Sequence, residues 1–480
     1  MNRHTSATCA AILLGLTLHA QAQPDTGAAV IQSIEAKYGV YADVAKQIWS
    51  FAELGYKEQK SSALLQAHLK AAGFDVKAGL AEIPTAFTAS YGSGKPVIGI
   101  VGEFDALPGL SQQVSPSRMP IVDGAPGHGC GHNLLGTGSL AAAVAVKEWL
   151  ASTHQTGTVL FFGTPAEEGG SGKVFMIRAE LFSKVDAVIA WHPSGRNDAS
   201  PKSNLATIQA KFRFHGVAAH AGSAPDKGRS ALDAVEAMNH MVNLMREHVP
   251  QETRMHYIIT RGGAAPNIVS DFAESYYNVR QPDMLVLDGI WDRIINAAQG
   301  AALGTGTTVN FEVIGAAYNL LPNEVLSGIM RKNLERVGGV KYTAEEQHFA
   351  EQILKTLIEP PTLRLGSQEV VQPMKAGSIA KSSTDLGDVS WNVPTVEVVS
   401  ATFVPGIPMH SWQAAACAGS DIGIKGMMVA AKSMALTVVD LFTDPTQIQK
   451  ARAEFDKRRG PGFVYRSRLD DRKPPLDYRN

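Results

Sequence analysis

Cysteine is nearly missing: the 480 residues hold three, and Cys9 lies just ahead of an apolar run near the start. That leaves Cys130 and Cys417, too few in a chain this long for a disulfide framework. An excess of charge of either sign is missing too. Lys and Arg total 44 against 45 Asp and Glu, a formal net charge of −1. No strong field therefore favours nucleic acid or an acidic membrane surface. Past the first residues there is no run of about 18 apolar side chains, which argues against a membrane span. Internal repeats and low-complexity tracts are absent. What is present is ordinary for a large enzyme: 45% apolar residues and 45 glycines, enough for two domains or one elaborated domain.

The start and the far end each carry a local signal. Met1-Asn2-Arg3-His4 is a short basic opening, Ala10 to Leu18 is apolar but too short to span a bilayer, and Ala20-Gln21-Ala22 is a small-x-small cleavage pattern. Residues 1–22 are expected to be a signal peptide cut after Ala22, giving a periplasmic or secreted protein that is not membrane-bound. From about Asp444 the chain is rich in cations, with Lys457, Arg458, Arg459, Arg466, Arg468, Arg472 and Lys473. They alternate with Asp470, Asp471, Asp477 and prolines, which predicts a solvated tail over residues 446–480 rather than a nucleic-acid arm.

Between these ends, strands alternate with helices. Glu35 to Phe51, Ser61 to Ala72 and Leu134 to Ser152 read as helices. Phe74 to Val76, Ala86 to Tyr91, Val97 to Val101, Thr158 to Phe162 and Ala187 to Trp191 read as strands. Val97 to Val101 is a continuous apolar run, suited to a sheet covered on both faces. The pattern changes near Ala206. Thr207 to His215, Tyr257 to Thr260, Ala273 to Val279 and Thr307 to Ile314 suit half-exposed strands, with helices over Ser230 to His248 and Leu285 to Ala302. That order is ferredoxin-like. After Asn323 come helices, a strand at Thr395 to Val399 and a long helix from Ser420 to Leu441. The expected class is α/β: a mixed-sheet catalytic domain over residues 23–206 and 321–445, with an inserted ferredoxin-like α+β domain over 207–320.

Two motifs carry chemistry. In Gly127-His128-Gly129-Cys130-Gly131-His132-Asn133, a Cys and a His two apart on a glycine-rich turn can aim at one ion. In Pro165-Ala166-Glu167-Glu168-Gly169, one carboxylate can hold metal while its neighbour moves protons. Adjacent residues off a regular strand point apart, so the two can take different tasks. Together the motifs indicate metal-assisted hydrolysis.

With Trp191-His192-Pro193, Gly216-x-x-Ala-His220-Ala-Gly and Met409-His410-Ser411, five motifs stand in one order. The chain thereby resembles the dinuclear-metal amidohydrolases and exopeptidases that include aminoacylase, hippurate hydrolase, auxin-conjugate hydrolases and glutamate carboxypeptidases. Asn133, Gly169-Gly170-Ser171-Gly172-Lys173 and Gly262-Gly263-x-x-Pro266-Asn267-Ile268-Val269 bring it nearest the p-aminobenzoyl-glutamate hydrolases of that group. The similarity covers residues 30 to 445.

The resemblance implies metal ligands at Cys130, His132, Glu168, His192 and His410, holding two divalent ions. Thiolate, imidazole and carboxylate together suit zinc or manganese, and the thiolate leans towards zinc. It implies Glu167 as the general base that activates a metal-held water, and Asp105 as the residue orienting a ligating imidazole. It makes the inserted domain a dimerisation lid. His220 would reach a partner subunit's site to steady the oxyanion, and Asn267 and Arg280 would hold the substrate, Arg suiting a carboxylate. Glu103, Lys173, Asp385 and Asp388 receive no role, and Cys417 reads as packing. The implied activity is cleavage of an N-acyl or N-aroyl amino acid at its amide bond, on a small-molecule substrate, in a homodimer or with a homologous partner chain. A dipeptidase or metallocarboxypeptidase, and a subunit needing a partner for activity, are the alternatives. A metal-transport protein would not require Glu167 beside Glu168.

Overall fold

The computed structural model describes Met1 and residues 26–479, so the expected signal peptide falls outside the described residues apart from Met1. Its longer strands are β1 (Asp75–Ala78), β2 (Phe87–Ser93), β3 (Val97–Gly102), β4 (Gly157–Gly163), β5 (Ala187–Ser194), β6 (Ala206–His215), β7 (Arg254–Arg261), β8 (Phe272–Gln281), β9 (Thr308–Ala317) and β10 (Thr395–Ala401). Two main sheets form. The first has the order β1-β2-β4-β3-β5-β10, parallel from β4 through β10 and antiparallel at the β1 and β2 side. The second has the order β9-β6-β8-β7, antiparallel throughout.

The first sheet is sandwiched between helices because its central strands are apolar on both faces. Ile98, Ile100, Val159, Phe161, Val188 and Ile189 are buried, and Phe87 stacks on Phe161 at 5.6 Å. Each such side chain contributes roughly 1.5–3 kcal/mol on burial. Two covering helices, His132–Thr153 and Asp421–Thr443, are long and apolar enough to cross a membrane, but 83% and 89% of their apolar windows are buried inside the protein. Here they are core helices. Boundaries follow local chemistry. Asn323 accepts from the Leu326 amide to start Glu324–Val337, and Thr343 with Glu346 forms a capping box ahead of Ala344–Leu354.

The second sheet is contributed by a continuous stretch between β5 and β10, which lie side by side in the first sheet. Its central strands β6 and β8 alternate buried and half-buried residues, the pattern of a sheet covered more on one face than the other. Helices Ala231–Met245 and Met284–Thr305 supply that cover through Val235, Met238, Leu287 and Ile294. Strand and helix order together make this unit ferredoxin-like.

The C-terminal region departs from expectation. Residues Thr446–Arg459 form a helix, and the segment after it is packed rather than solvated. Leu469 is 2% exposed, Phe463 lies 4.7 Å from Trp391 ring to ring, and Tyr465 donates to Asp388 Oδ1 at 2.7 Å. Two of the cations that suggest a free tail have long-range partners: Arg472 donates to the carbonyls of Val313 and Ile314, and Arg468 pairs with Asp288.

Candidate metal centre

Parallel β3, β4 and β5 all end at one edge of the first sheet, and each hands over a site residue there. Beyond β3 come Glu103 and Asp105, beyond β4 come Glu167 and Glu168, and His192 stands near the end of β5. Ligand sites lie beyond the carboxyl edge of such sheets. Facing them is the start of helix His132–Thr153, entered through Gly131 at φ 76°, left-handed backbone that favours glycine. His410 joins from a loop, its amide donating to the Gly129 carbonyl at 2.9 Å.

The structure brings all five expected ligands together. Within each of two groups, Cys130/His132/His192 and Cys130/Glu168/His410, the donor atoms lie within 4.8 Å of one another. The groups share Cys130, so together the five residues could hold two cations. Cys130 Sγ stands 3.5 Å from His192 Nε2, and His410 Nε2 stands 3.3 Å from Glu168 Oε1. The tautomers follow from the partners. His132 Nδ1–H donates to Asp105 Oδ1 at 2.9 Å, and His192 Nδ1–H donates to the Pro193 carbonyl at 2.8 Å. Each ring therefore keeps its Nε2 lone pair for the cluster.

The donor set fits cations on a further observation. Among the described residues, His132 Nε2, Glu103 Oε2 and Glu168 Oε1 are buried and find no hydrogen bond of proper geometry. Polar atoms left so cost about 1–3 kcal/mol each, and a divalent ion among them removes that cost.

Electrostatics separate the two glutamates. Burial, then the charges of Glu103, Glu168 and Asp385, push the Glu167 carboxyl well above the usual range. Burial acts on Glu168 in the same direction, but His410 and His132 outweigh it and hold its carboxyl below the ordinary value. Glu167 is thereby the better proton acceptor of the two, and Glu168 the one that stays charged. Burial and the Glu168 charge push the Cys130 thiol up; a cation beside it would reverse that.

Three residues without an expected role form a buried chain under this site. Lys173, fully enclosed, pairs with Glu103 at 2.7 Å and Asp385 at 2.5 Å, and its amide donates to Asp385 at 2.8 Å. Glu103 also lies 3.3 Å from His132 Nε2 and groups with His132 and Glu167. Asp388 is buried as well, accepting from the Tyr318 amide and Tyr465. His128, inside the Cys130 motif, stays out of the cluster: it bonds the Ile48 carbonyl, and burial lowers it to about 3.

A cavity of about 330 Å³ opens over the cluster, lined by Glu167, Glu168 and His410 on one side and by Thr207, Gln209 and Arg280 of the second sheet on the other. Arg280 is thus brought to the site. His220 and Asn267 are not. They sit beside each other on a short exposed ladder, Ile268 opposite His220 and the Ala221 amide donating to the Asn267 carbonyl, and neither lines the cavity. Thr207, Gln209 and Ser383, also in the lining, carry no sequence signal beyond their neighbourhood.

Comparison with known proteins shows the following likenesses. The model of peptidase family M20/M25/M40 matches residues 99–414. A p-aminobenzoyl-glutamate hydrolase subunit of Escherichia coli is 42% identical over 88% of this chain and 93% of its own. The human Xaa-Arg dipeptidase is 29% identical over 86% of this chain and 88% of its own. Among solved structures, a dinuclear metal binding peptidase of the M20 family from Bacillus subtilis superposes with a TM-score of 0.58 at 16% identity, covering 85% of this chain and 99% of that one.

Proposed function

Because this chain belongs to peptidase family M20/M25/M40, we propose that its substrate is an N-acyl or N-aroyl amino acid of the p-aminobenzoyl-glutamate type, split at the amide bond. The chain is a metal-dependent hydrolase of linear amide or peptide bonds. The observation that carries the finer reading is the pair of ligand groups sharing Cys130, with Glu167 beside them and Arg280 across the cavity.

Cys130, His132, Glu168, His192 and His410 would hold two divalent ions, zinc or manganese, with the thiolate favouring zinc. When bound, such ions supply Lewis-acid chemistry, acidifying water and polarising a carbonyl. The protein's own groups do the rest. Glu167 takes the proton from the attacking water and returns it to the departing amine. Asp105 fixes the His132 ring, and the Lys173–Glu103–Asp385 chain steadies the floor beneath Glu167. Arg280 offers a planar pair of donors to the substrate carboxylate.

His220 and Asn267 belong to the same proposal in another capacity. Exposed and away from this chain's own cluster, they complete the site of a second copy in a homodimer, or of a homologous partner. The Escherichia coli relative, itself named as one subunit of a hydrolase, supports the second possibility. Export to the periplasm, from the signal in residues 1–22, is also proposed.

The test is hydrolysis of a panel of aroyl-glutamates, N-acetyl amino acids and dipeptides by the purified single chain, stripped with chelator and reloaded with zinc or manganese. Metal-restored cleavage of aroyl-glutamates supports the reading. Cleavage confined to dipeptides moves it to the dipeptidase alternative, which the human relative favours. Silence across the panel until a homologous chain is added makes this a dependent subunit.

A further inference from the structure

The loop that carries the tandem glutamates is held only in part by its own bonds, the Gly170 amide donating to the Ala166 carbonyl at 3.0 Å and the Gly169 amide to the Glu167 carbonyl at 2.6 Å. Ala166 at φ 57° and Gly169 at φ 100° both lie in the left-handed region, which an alanine adopts at a cost. Further bonds hold the loop from outside. Glu58 accepts the Ala166 amide at 2.8 Å, Asp105 accepts the Glu168 amide at 2.9 Å, and Tyr56 donates to the Gly170 carbonyl at 2.6 Å. The Glu168 carbonyl takes two donors, and both come from far along the chain: the Tyr478 hydroxyl at 3.2 Å and the Arg479 guanidinium.

That guanidinium also reaches the Ala106 carbonyl at 3.4 Å. Ala106 follows Asp105, so Arg479 ties together on the outside the same two loops that Asp105 ties on the inside. The segment is itself anchored. Tyr478 meets the Tyr56 ring edge-on at 5.6 Å, Arg472 binds the Val313 and Ile314 carbonyls of β9, and Arg178 donates to the Arg472 carbonyl at 2.7 Å. It therefore crosses from the second sheet to the catalytic loops.

We propose that Tyr478 and Arg479 are positioning residues: by clamping the Glu168 carbonyl to the Ala106 loop, they set where Glu167 and Glu168 stand relative to Asp105 and His132. Neither residue reaches the cavity or the ligand atoms. Their effect passes through the backbone of Glu168. Displacing a catalytic group by about 1 Å can cost about 10²-fold in rate, so a loosened clamp registers in turnover rather than in substrate binding. The proposal rests on the hydrolase reading of the site, but loop order can be measured without substrate.

The experiment compares Arg479→Ala, Arg479→Lys and Tyr478→Phe with the parent, and with Lys473→Ala, whose exposed side chain pairs with exposed Glu82. For each variant, kcat and KM, retention of zinc against a competing chelator, and amide hydrogen exchange over residues 165–172 are measured, with circular dichroism confirming the fold. Arg479→Ala is expected to lower kcat about tenfold or more with KM nearly unchanged. It should also release zinc more readily and speed exchange across the loop. Arg479→Lys recovers part of each, Tyr478→Phe shows a smaller loss, and Lys473→Ala matches the parent. A folded Arg479→Ala protein with parental zinc retention and loop exchange overturns the proposal. So does a loss confined to KM. If the parent cleaves nothing even after a homologous chain is added, the proposed substrate reading fails while the exchange comparison still decides the clamp. If Arg479→Ala does not fold, Tyr478→Phe and Arg479→Lys decide it by the same two readouts.

Discussion

Asp105 and His132 face each other at 2.9 Å in a fully enclosed contact, carboxylate oxygen to ring Nδ1–H. The bond leaves His132 Nε2 bare toward the cluster, and the second oxygen of Asp105 accepts the Glu168 amide at 2.9 Å. One carboxylate thus orients one proposed ligand from the helix and another from the β4 loop. Burial alone would raise the Asp105 carboxyl, but the His132 bond, the His132 charge, the Glu168 amide and Lys173 together hold it below its ordinary value.

Replacing that carboxylate tests the relationship. In Asp105→Asn, one amide N–H must face either the His132 Nδ1–H or the Glu168 N–H. Zinc affinity, read by competition with a chromogenic chelator, is expected to fall about 10–100-fold. A change below about twofold would separate Asp105 from metal binding.

Glu167→Gln is nearly isosteric and leaves every expected ligand in place. Its metal content should equal the parent's, while kcat falls by about 10²–10⁴. Parental turnover would remove Glu167 from the proton transfer.

Arg280 should matter only to substrates that carry a carboxylate. Arg280→Ala is expected to reduce kcat/KM for an aroyl-glutamate about 10–100-fold, in line with a lost charge-assisted bond of about 1.5–3 kcal/mol. The analogue in which both glutamate carboxylates are amidated should be cleaved equally by variant and parent. An equal loss on both substrates would contradict carboxylate recognition.

A shared site has a mixing signature. His220→Ala and Glu167→Gln should each be inactive alone, yet a refolded mixture should regain up to roughly a quarter of parental activity through mixed dimers. No recovery in a mixture shown to exchange subunits would place His220 outside the partner's site.

Stability should depend on pH through Glu58. Burial, then the charge of Asp105, raises its carboxyl from 4.5 to about 8, against hydrogen bonds from Thr85 and the Ala166 amide. Between those values the native protein keeps a proton that the unfolded chain has released. The contribution of this group is therefore full below about pH 4.5 and is lost as pH rises towards 8, at up to about 1.4 kcal/mol per unit. Urea unfolding at about pH 5 and about pH 8 should show that decline in the parent and a flatter profile in Glu58→Gln. Equal slopes would exclude Glu58 as its source.

Much of the fold was legible because its signals are local. The apolar run Val97 to Val101 becomes β3, Thr158 to Phe162 becomes β4 and Thr207 to His215 becomes β6, each within about two residues. The expected helix over Glu35 to Phe51 is instead two, Thr26–Ala36 and Tyr38–Phe51, because Lys37 leaves helical geometry. The short helices Gly172–Arg178 and Leu386–Ser390 have no counterpart among the expected elements. Seven and five residues give too few turns for a periodic pattern to show.

The sequence by itself determined the chemistry at this protein's centre: which thiol, imidazoles and carboxylates stand on strand ends and glycine turns, since residue type and short spacing decide what a donor can do. Tertiary structure alone decided how those donors are held. Lys173 meets Asp385 across 212 positions, and Arg479 meets the Glu168 carbonyl across 311. Neither pairing has a local signature. A basic segment beside prolines looks solvated until folding supplies backbone carbonyls, hundreds of residues away, for its guanidinium groups to bind.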